Sequence, residues 1–125
     1  MNINIKSTHI ELTDAIRNYV FSKLESVSKL LTNPDESFAQ VEVGKESNHH
    51  MKGDVFKAEI RLRDNGKEHY AVIVKDDLYA AIDELKDEIM EKVKSTKDKS
   101  RSRFRRGAGK VKNFVKGLWP WKGNE

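Results

Sequence analysis

The sequence predicts an α+β fold, a two-layer sandwich in which a four-stranded sheet carries two helices on one face. Apolar residues alternate with polar ones in four segments, recur at three- and four-residue spacings in two others, and Asn65-Gly66 separates two of the alternating segments. Alternation is typical of half-buried strands, and spacings of three and four are typical of amphipathic helices. Elements with one apolar side each fit two packed layers. The predicted order is β-α-β-β-β-α.

The first strand and the first helix come before a stop signal at Asn33-Pro34. Ile3 and Ile5 alternate with polar residues, which predicts a strand with one buried side. Thr13 is a suitable N-cap for the helix that follows. The apolar stripe of that helix is Ile16, Val20, Leu24, Val27 and Leu31.

Three strands follow, at residues 38–45, 55–64 and after Asn65-Gly66, with a loop at 46–54. Asn-Gly is the preferred pair of a two-residue type I′ turn, so the last two strands are predicted to form a hairpin. The side chains expected to face inward are Ala39, Val41 and Val43, then Phe56, Ala58, Ile60 and Leu62, then Tyr70, Val72 and Val74.

The last helix is predicted to begin near Asp77. Its apolar stripe is Leu78, Ile82, Leu85, Ile89 and Val93. At 100° per residue, one flank of the stripe holds Tyr79, Lys86, Met90, Lys94, Lys97 and Arg101, and the other holds Glu84, Asp87, Glu88 and Glu91. One flank therefore suits phosphate and the other repels it, which predicts a defined orientation on RNA or DNA.

Charge is distributed unevenly along the chain. The net charge is +4, but residues 1–94 contain 14 Lys or Arg against 18 Asp or Glu, while residues 95–125 contain 10 Lys or Arg and two acids. An acidic body with a strongly basic carboxyl end is typical of proteins that bind a polyanion. The chain has no cysteine, which excludes disulfides and thiol chemistry. With no signal-like or membrane-spanning segment, we expect a cytoplasmic protein.

Nucleic-acid contact is predicted for the basic side chains of both helices and for Tyr79. The candidates are Arg17, Lys23, Lys29, Tyr79, Lys86, Lys92, Lys94, Lys97, Lys99, Arg101, Arg103, Arg105 and Arg106. The alternative for each helical lysine is an ordinary solvated surface. Catalysis, a cofactor and a small-molecule substrate are not expected, and His49-His50 is a weak metal signal that more often marks a loop surface.

Three segments carry a resemblance to a known family: DLYAAID at 77–83, KDK at 97–99 and HHMKGDVF at 49–56. With the element order, they resemble the bacterial ribosome hibernation-promoting factor and ribosome-associated inhibitor A family over about residues 1–100. The resemblance implies a fold similar in shape to double-stranded-RNA-binding domains. It also implies binding to the small ribosomal subunit, in the channel used by messenger RNA and by A- and P-site transfer RNA, with silencing of idle ribosomes.

The resemblance can be carried over to individual positions. Arg17 and Lys23 match basic positions of the family's first helix, and Tyr79, Lys97 and Lys99 match its second. The sequence departs from the family at three commonly basic positions, which are Ser26, Glu88 and Glu91 here. Lys86, Lys92 and Lys94 are the expected substitutes. The chain resembles the short form of the family, without the domain that pairs ribosomes, and we expect a monomer when free.

The predicted domain covers residues 1–100, and residues 101–125 are predicted to form a flexible basic tail containing Trp119 and Trp121. Three interpretations of the tail remain open: a solvated disordered segment, a contact with ribosomal RNA or the messenger channel, and an amphipathic segment on a membrane or protein groove. The alternatives to ribosome binding are a general double-stranded-RNA-binding module and an adaptor that docks through this tail.

Overall fold

The computed structural model describes the backbone of residues 1–46 and 53–113, and the side chains of residues 1–46 and 53–98. Its elements are β1 (Asn2–Thr8), α1 (Asp14–Ser28), a 3-10 turn (Pro34–Glu36), β2 (Phe38–Glu46), β3 (Val55–Asp64), β4 (Lys67–Lys75) and α2 (Leu78–Asn113). This order confirms the predicted β-α-β-β-β-α fold. The chain divides into two units, Met1–Lys92 and Val93–Glu125, and α2 contributes residues to both.

The sheet lies in the first unit and has the strand order β1-β2-β3-β4. β1 is parallel to β2, and the other neighbouring strands are antiparallel. A parallel pair needs a crossover connection, which α1 provides. Gly44 lies opposite Thr8, and a Cβ atom at Gly44 would be 2.6 Å from the Thr8 carbonyl oxygen. Only glycine therefore allows β1 and β2 to approach so closely at this point.

The apolar core of the first unit lies between one face of the sheet and the two helices. The buried residues of α1 are Ile16, Val20, Leu24 and Val27. Those of α2 in this unit are Leu78, Ala81, Ile82, Leu85 and Ile89. The sheet contributes Ile5, Ala39, Val41, Val43, Val55, Ala58, Ile60, Leu62 and Ala71. Both predicted helical stripes are confirmed, and the other face of the sheet is open to solvent.

The prediction that Tyr70, Val72 and Val74 face inward is wrong. These side chains are 39%, 42% and 52% exposed, and the buried residues of β4 are His69 and Ala71. The open face of β4 therefore carries one aromatic and two aliphatic side chains that the core does not use.

The hairpin turn explains this orientation. Asn65 and Gly66 have φ values of 53° and 76°, as a type I′ turn requires, so the predicted turn is confirmed. A two-residue turn places Asp64 opposite Lys67, and each further pair follows from that register. Because directly opposed residues share a face of the sheet, the buried even-numbered residues of β3 place the odd-numbered residues of β4 in the core.

Both helices begin at side-chain caps. Thr13 Oγ1 accepts a hydrogen bond from the Ile16 backbone N–H at 3.2 Å, as predicted. Asp77 Oδ2 accepts one from the Ala80 N–H at 2.9 Å, which satisfies an N–H group of the first turn of α2. α1 ends at Ser28, before the predicted stop. Within the described part of the chain, no helix is long and apolar enough to cross a membrane.

A buried polar cluster ties the loop after α1 to the β3–β4 hairpin. The Asp64 carboxylate accepts hydrogen bonds from the backbone N–H groups of Thr32 at 2.9 Å and Asn33 at 3.1 Å. It also accepts one from the Ser37 hydroxyl at 2.8 Å. Asp64 is 5% exposed and Ser37 is fully buried, so the loop is held by groups that water does not reach.

Candidate nucleic-acid interface

The outer sides of α1 and α2 meet in the first unit at four side chains, here called the two-helix cluster: Tyr19, Lys23, Tyr79 and Asp83. On each helix the two members are four residues apart, which places them one turn from each other on the same side. Apolar residues on the inner sides of the helices bring the two elements together. They surround one small apolar space and include Val20, Leu24, Ile82 and Leu85.

The four side chains form a connected network. The Tyr19 hydroxyl donates a hydrogen bond to Asp83 Oδ1 at 2.6 Å, and Lys23 Nζ lies 3.1 Å from the same oxygen. The rings of Tyr19 and Tyr79 pack edge to face, with centroids 4.8 Å apart and an interplanar angle of 84°. Lys23 Nζ also lies 5.0 Å from the centroid of the Tyr19 ring. Each member therefore contacts at least one member from the other helix.

Asp83 carries the negative charge of the cluster. The hydrogen bond from the Tyr19 hydroxyl lowers the pKa of Asp83 below its ordinary value, and the Lys23 ammonium lowers it further. The hydrogen bond to Asp83 raises the pKa of Tyr19 and also raises the pKa of Lys23. At neutral pH the cluster therefore contains one anion and one cation.

The ion pair between Lys23 and Asp83 is open to water. The two side chains are 31% and 46% exposed, and ion pairs at such sites contribute little to stability. A phosphate that approaches the cluster can therefore replace Asp83 as the partner of Lys23 at low cost. The two tyrosines offer aromatic surface and hydroxyl groups beside that cation.

Two other predicted cations of α2 have partners within the protein. Lys86 Nζ lies 3.0 Å from Asp87 Oδ1, a neighbour on the same helix. Lys92 Nζ donates a hydrogen bond to the backbone carbonyl of Tyr70 at 2.7 Å. Tyr70 belongs to β4, an edge strand, and a lysine at such an edge discourages pairing with a further strand. Their proposed RNA contacts stay predictions.

The remaining candidates are not part of the two-helix cluster. On α1, Arg17 is half-buried and Lys29 is exposed. In the second unit, Lys94 is exposed and Lys97 is half-buried. Lys99, Arg101, Arg103, Arg105 and Arg106 lie on helical backbone, and their side chains are outside the described set. Among the predicted residues, the fold thus brings together Lys23 and Tyr79.

Sequence reasoning missed Tyr19 and Asp83 as members of the site. The usable signal was spacing, because Tyr19 precedes Lys23 by four residues and Asp83 follows Tyr79 by four. Spacing indicates neighbours on one helix, but it does not identify which side of α1 faces which side of α2. That information comes from the packing of the two helices on the sheet.

A metal site is not found in the described part of the chain, where no three His, Cys, Asp or Glu side chains group suitably. His49 and His50 lie outside the described residues. So does the carboxyl-terminal segment 114–125, which includes both tryptophans.

Comparison with known families settles the relationship of the chain. A family model described as "Sigma 54 modulation protein / S30EA ribosomal protein" matches residues 3–101. The chain belongs to this family. Since residues 3–101 include both helices of the two-helix cluster, all four of its side chains lie within the family domain.

Relatives named as ribosome hibernation promoting factors confirm the resemblance seen in the sequence. The protein of that name from Pseudomonas putida is 31% identical over 102 residues, which cover 82% of this chain and 92% of the relative. The protein from Escherichia coli K12 is 27% identical over 99 residues, covering 79% of this chain and 96% of the relative.

Two solved structures of similar fold support the same placement in the S30EA family. The Thermus thermophilus protein Y N-terminal domain has a TM-score of 0.66 and 31% identity, covering 77% of this chain and 99% of that one. A ribosomal subunit interface protein from Coxiella burnetii has a TM-score of 0.60 and 17% identity, over 78% and 99% of the two chains. The second similarity supports the fold alone.

Proposed function

We propose that the protein is a ribosome hibernation factor that binds the small ribosomal subunit in the messenger RNA and transfer RNA channel, at the A and P sites. Bound there, it inhibits translation in idle ribosomes. The observation that carries this proposal is the match to proteins named ribosome hibernation promoting factor over nearly their whole length, including 92% of the Pseudomonas putida relative. Occupying the channel requires no catalysis, so we propose a non-enzymatic role.

The two-helix cluster supports a contact with ribosomal RNA. Lys23 and Tyr79 combine a cation held in a water-accessible ion pair with an aromatic ring that is 38% exposed. Folded RNA is recognised through phosphates and through stacking on unpaired bases, and these two side chains can serve both purposes. Lys94 and Lys97, in the second unit, add positive charge on the same helix.

Sedimentation with purified small subunits tests the proposal. We expect the full chain to co-sediment at low salt and to dissociate progressively as salt rises, because phosphate contacts release counterions. Absence of co-sedimentation at low and at moderate salt would contradict the proposal. Naked duplex RNA that binds as tightly as the subunit at matched salt would instead favour a general double-stranded-RNA-binding module.

Charge-reversal variants test the surface. Lys94→Glu combined with Lys97→Glu is expected to abolish co-sedimentation, since both changes place acids where phosphate contacts are proposed. The matched control is Lys45→Glu combined with Lys67→Glu, which makes the same change in net charge at two exposed positions of the sheet. Equal loss in both double variants would show that net charge alone, rather than this surface, controls binding.

A further inference from the structure

The open face of the sheet carries four rows of side chains that run across the strands. The register defines their members in the order β1, β2, β3, β4. The first two rows are Asn2, Phe38, Arg63 and Glu68, then Asn4, Gln40, Arg61 and Tyr70. The next two are Lys6, Glu42, Glu59 and Val72, then Thr8, Gly44, Lys57 and Val74. The rows differ in chemistry, although they belong to one surface.

The first two rows combine amides, aromatic rings and arginines, and all eight side chains are exposed. Phe38 is 42% exposed and lies on the face opposite the core, so it is not needed for core packing. The Arg61 guanidinium lies 4.9 Å from the centroid of the Tyr70 ring, which holds both planar groups against each other. Carboxylates are concentrated in the third row, at Glu42 and Glu59.

The surface between these residues is concave. A depression of about 270 Å³ is lined by Phe38, Gln40, Arg61 and Arg63, together with Leu62 and Glu68. A second depression of about 130 Å³ shares Gln40 and Arg61 with the first. Pockets for drug-sized ligands start at about 300 Å³, so these depressions suit smaller groups.

We propose that these two rows form a stacking platform for single-stranded RNA, on the face of the sheet opposite the helices. The proposal is independent of the proposed function, because it uses different residues and a different face. Phe38 stacks on one base, and the guanidinium plane of Arg61 extends the stacked surface over Tyr70. Gln40 and Asn4 offer donors and acceptors to base edges.

The phosphate partner in this platform is Arg63. It pairs with Glu68 at 3.2 Å, and the two side chains are 69% and 56% exposed, so the pair is readily exchanged for a phosphate. Single strands are favoured over duplexes because a duplex hides its base faces from a flat sheet. Four strands at a spacing of about 4.8 Å give a surface wide enough for splayed bases.

A second copy of the chain is the competing occupant of this face. A twofold contact centred on the platform would place Arg61 and Arg63 near the same residues of the other copy. Within the platform only Glu68 is available to compensate that charge. A polyanion meets no such repulsion, so the charge of the platform favours RNA.

Fluorescence anisotropy with a labelled mixed-sequence RNA octamer and the full-length chain tests the platform. The matched probe is an abasic octamer, which keeps the phosphates but cannot stack. Phe38→Leu and Arg61→Lys are expected to weaken binding of the base-containing octamer about tenfold each, and to leave binding of the abasic octamer unchanged. Arg61→Lys keeps the charge but removes the planar group.

Val74→Thr is the control on the same face, since Val74 lies in the fourth row and is 52% exposed. Its affinity for both octamers should equal that of the unchanged chain. Amide chemical shifts that move at residues 38–40 and 61–63 on addition of RNA support the platform directly. Unmoved shifts there, or equal octamer affinity in all variants, overturn it. Self-association that is lost in Phe38→Leu, without any RNA-induced shift, overturns it in favour of a second copy.

Discussion

Asp64 and Asp83 are both aspartates that accept several hydrogen bonds, but they lie in opposite environments. Asp64 is 5% exposed and holds two backbone N–H groups and the Ser37 hydroxyl. The Asp83 side chain is 46% exposed and holds the Tyr19 hydroxyl and the Lys23 ammonium. Similar chemistry therefore occurs once where water is excluded and once where it is present.

The comparison indicates how burial separates stability from binding. A donor that loses a buried acceptor has no water to replace it, so the partners of Asp64 depend on that carboxylate. The partners of Asp83 can turn to water or to a ligand, so their arrangement can change without unfolding. The cluster around Asp64 is suited to fixing the fold, and the cluster around Asp83 is suited to exchanging partners.

Asp64→Ala is expected to have the largest effect on stability. The change leaves buried donors at Thr32, Asn33 and Ser37 without their acceptor, and should lower the free energy of unfolding by about 3 kcal/mol. Urea denaturation followed by circular dichroism measures it. The control is Asp54→Ala, at a side chain that is 59% exposed and paired with Lys45. A loss below about 1 kcal/mol for Asp64→Ala would contradict the role given to burial.

Ser37→Ala should have a smaller effect in the same cluster. It removes the hydroxyl that donates to Asp64 Oδ1 and to the Asn33 carbonyl, while the two backbone donors to Asp64 remain. We expect a loss of about 1–2 kcal/mol in the free energy of unfolding. Ser28→Ala provides the comparison, since the Ser28 hydroxyl makes an exposed hydrogen bond to the Glu25 carbonyl. Equal losses at the two serines would mean that burial does not matter here.

His69 connects burial to the pH dependence of stability. Burial lowers the pKa of His69 below its ordinary value of 6.5, the charges of Lys67 and Lys92 lower it too, and the charge of Asp64 opposes the shift. The unfolded chain therefore binds a proton at higher pH than the folded one. Stability should be full above pH 6.5 and fall as the pH decreases from there to the lowered pKa.

Urea unfolding between pH 5 and pH 8 measures that dependence. His69→Gln should flatten the part of the slope that arises from this residue, because glutamine does not titrate. A slope that is unchanged in His69→Gln would show that other groups cause it.

Asp83→Asn is expected to change stability least, by less than Ser37→Ala, because its partners remain hydrated. Its effect should appear in binding instead. The change frees the Lys23 ammonium, so the salt dependence of small-subunit binding should steepen by about one unit in the slope of log K against log salt. Tyr19→Phe, which leaves the ion pair in place, is the control. An unchanged slope in Asp83→Asn would argue against a phosphate contact by Lys23.

Much of the fold was predictable because it depends on local pattern. The caps, the Asn65-Gly66 turn and the apolar stripes of both helices each depend on residues close together in sequence, and they occur as predicted. The inward side of β4 was not predicted correctly, since Tyr70, Val72 and Val74 have stronger strand propensity than His69 and Ala71. The register of a two-residue hairpin overrides that preference.

By itself, the sequence determined the order of the elements, the charged flanks of the last helix and the resemblance to the S30EA family, because all three depend on residue type and spacing along the chain. The tertiary structure decided which side chains from different elements meet. Tyr19 and Asp83 are 64 residues apart, and Ser37 and Asp64 are 27 residues apart. Spacing along one helix or strand does not determine such pairs, since they depend on how the layers pack. The same packing leaves Phe38 and Arg61 together on the open face of the sheet.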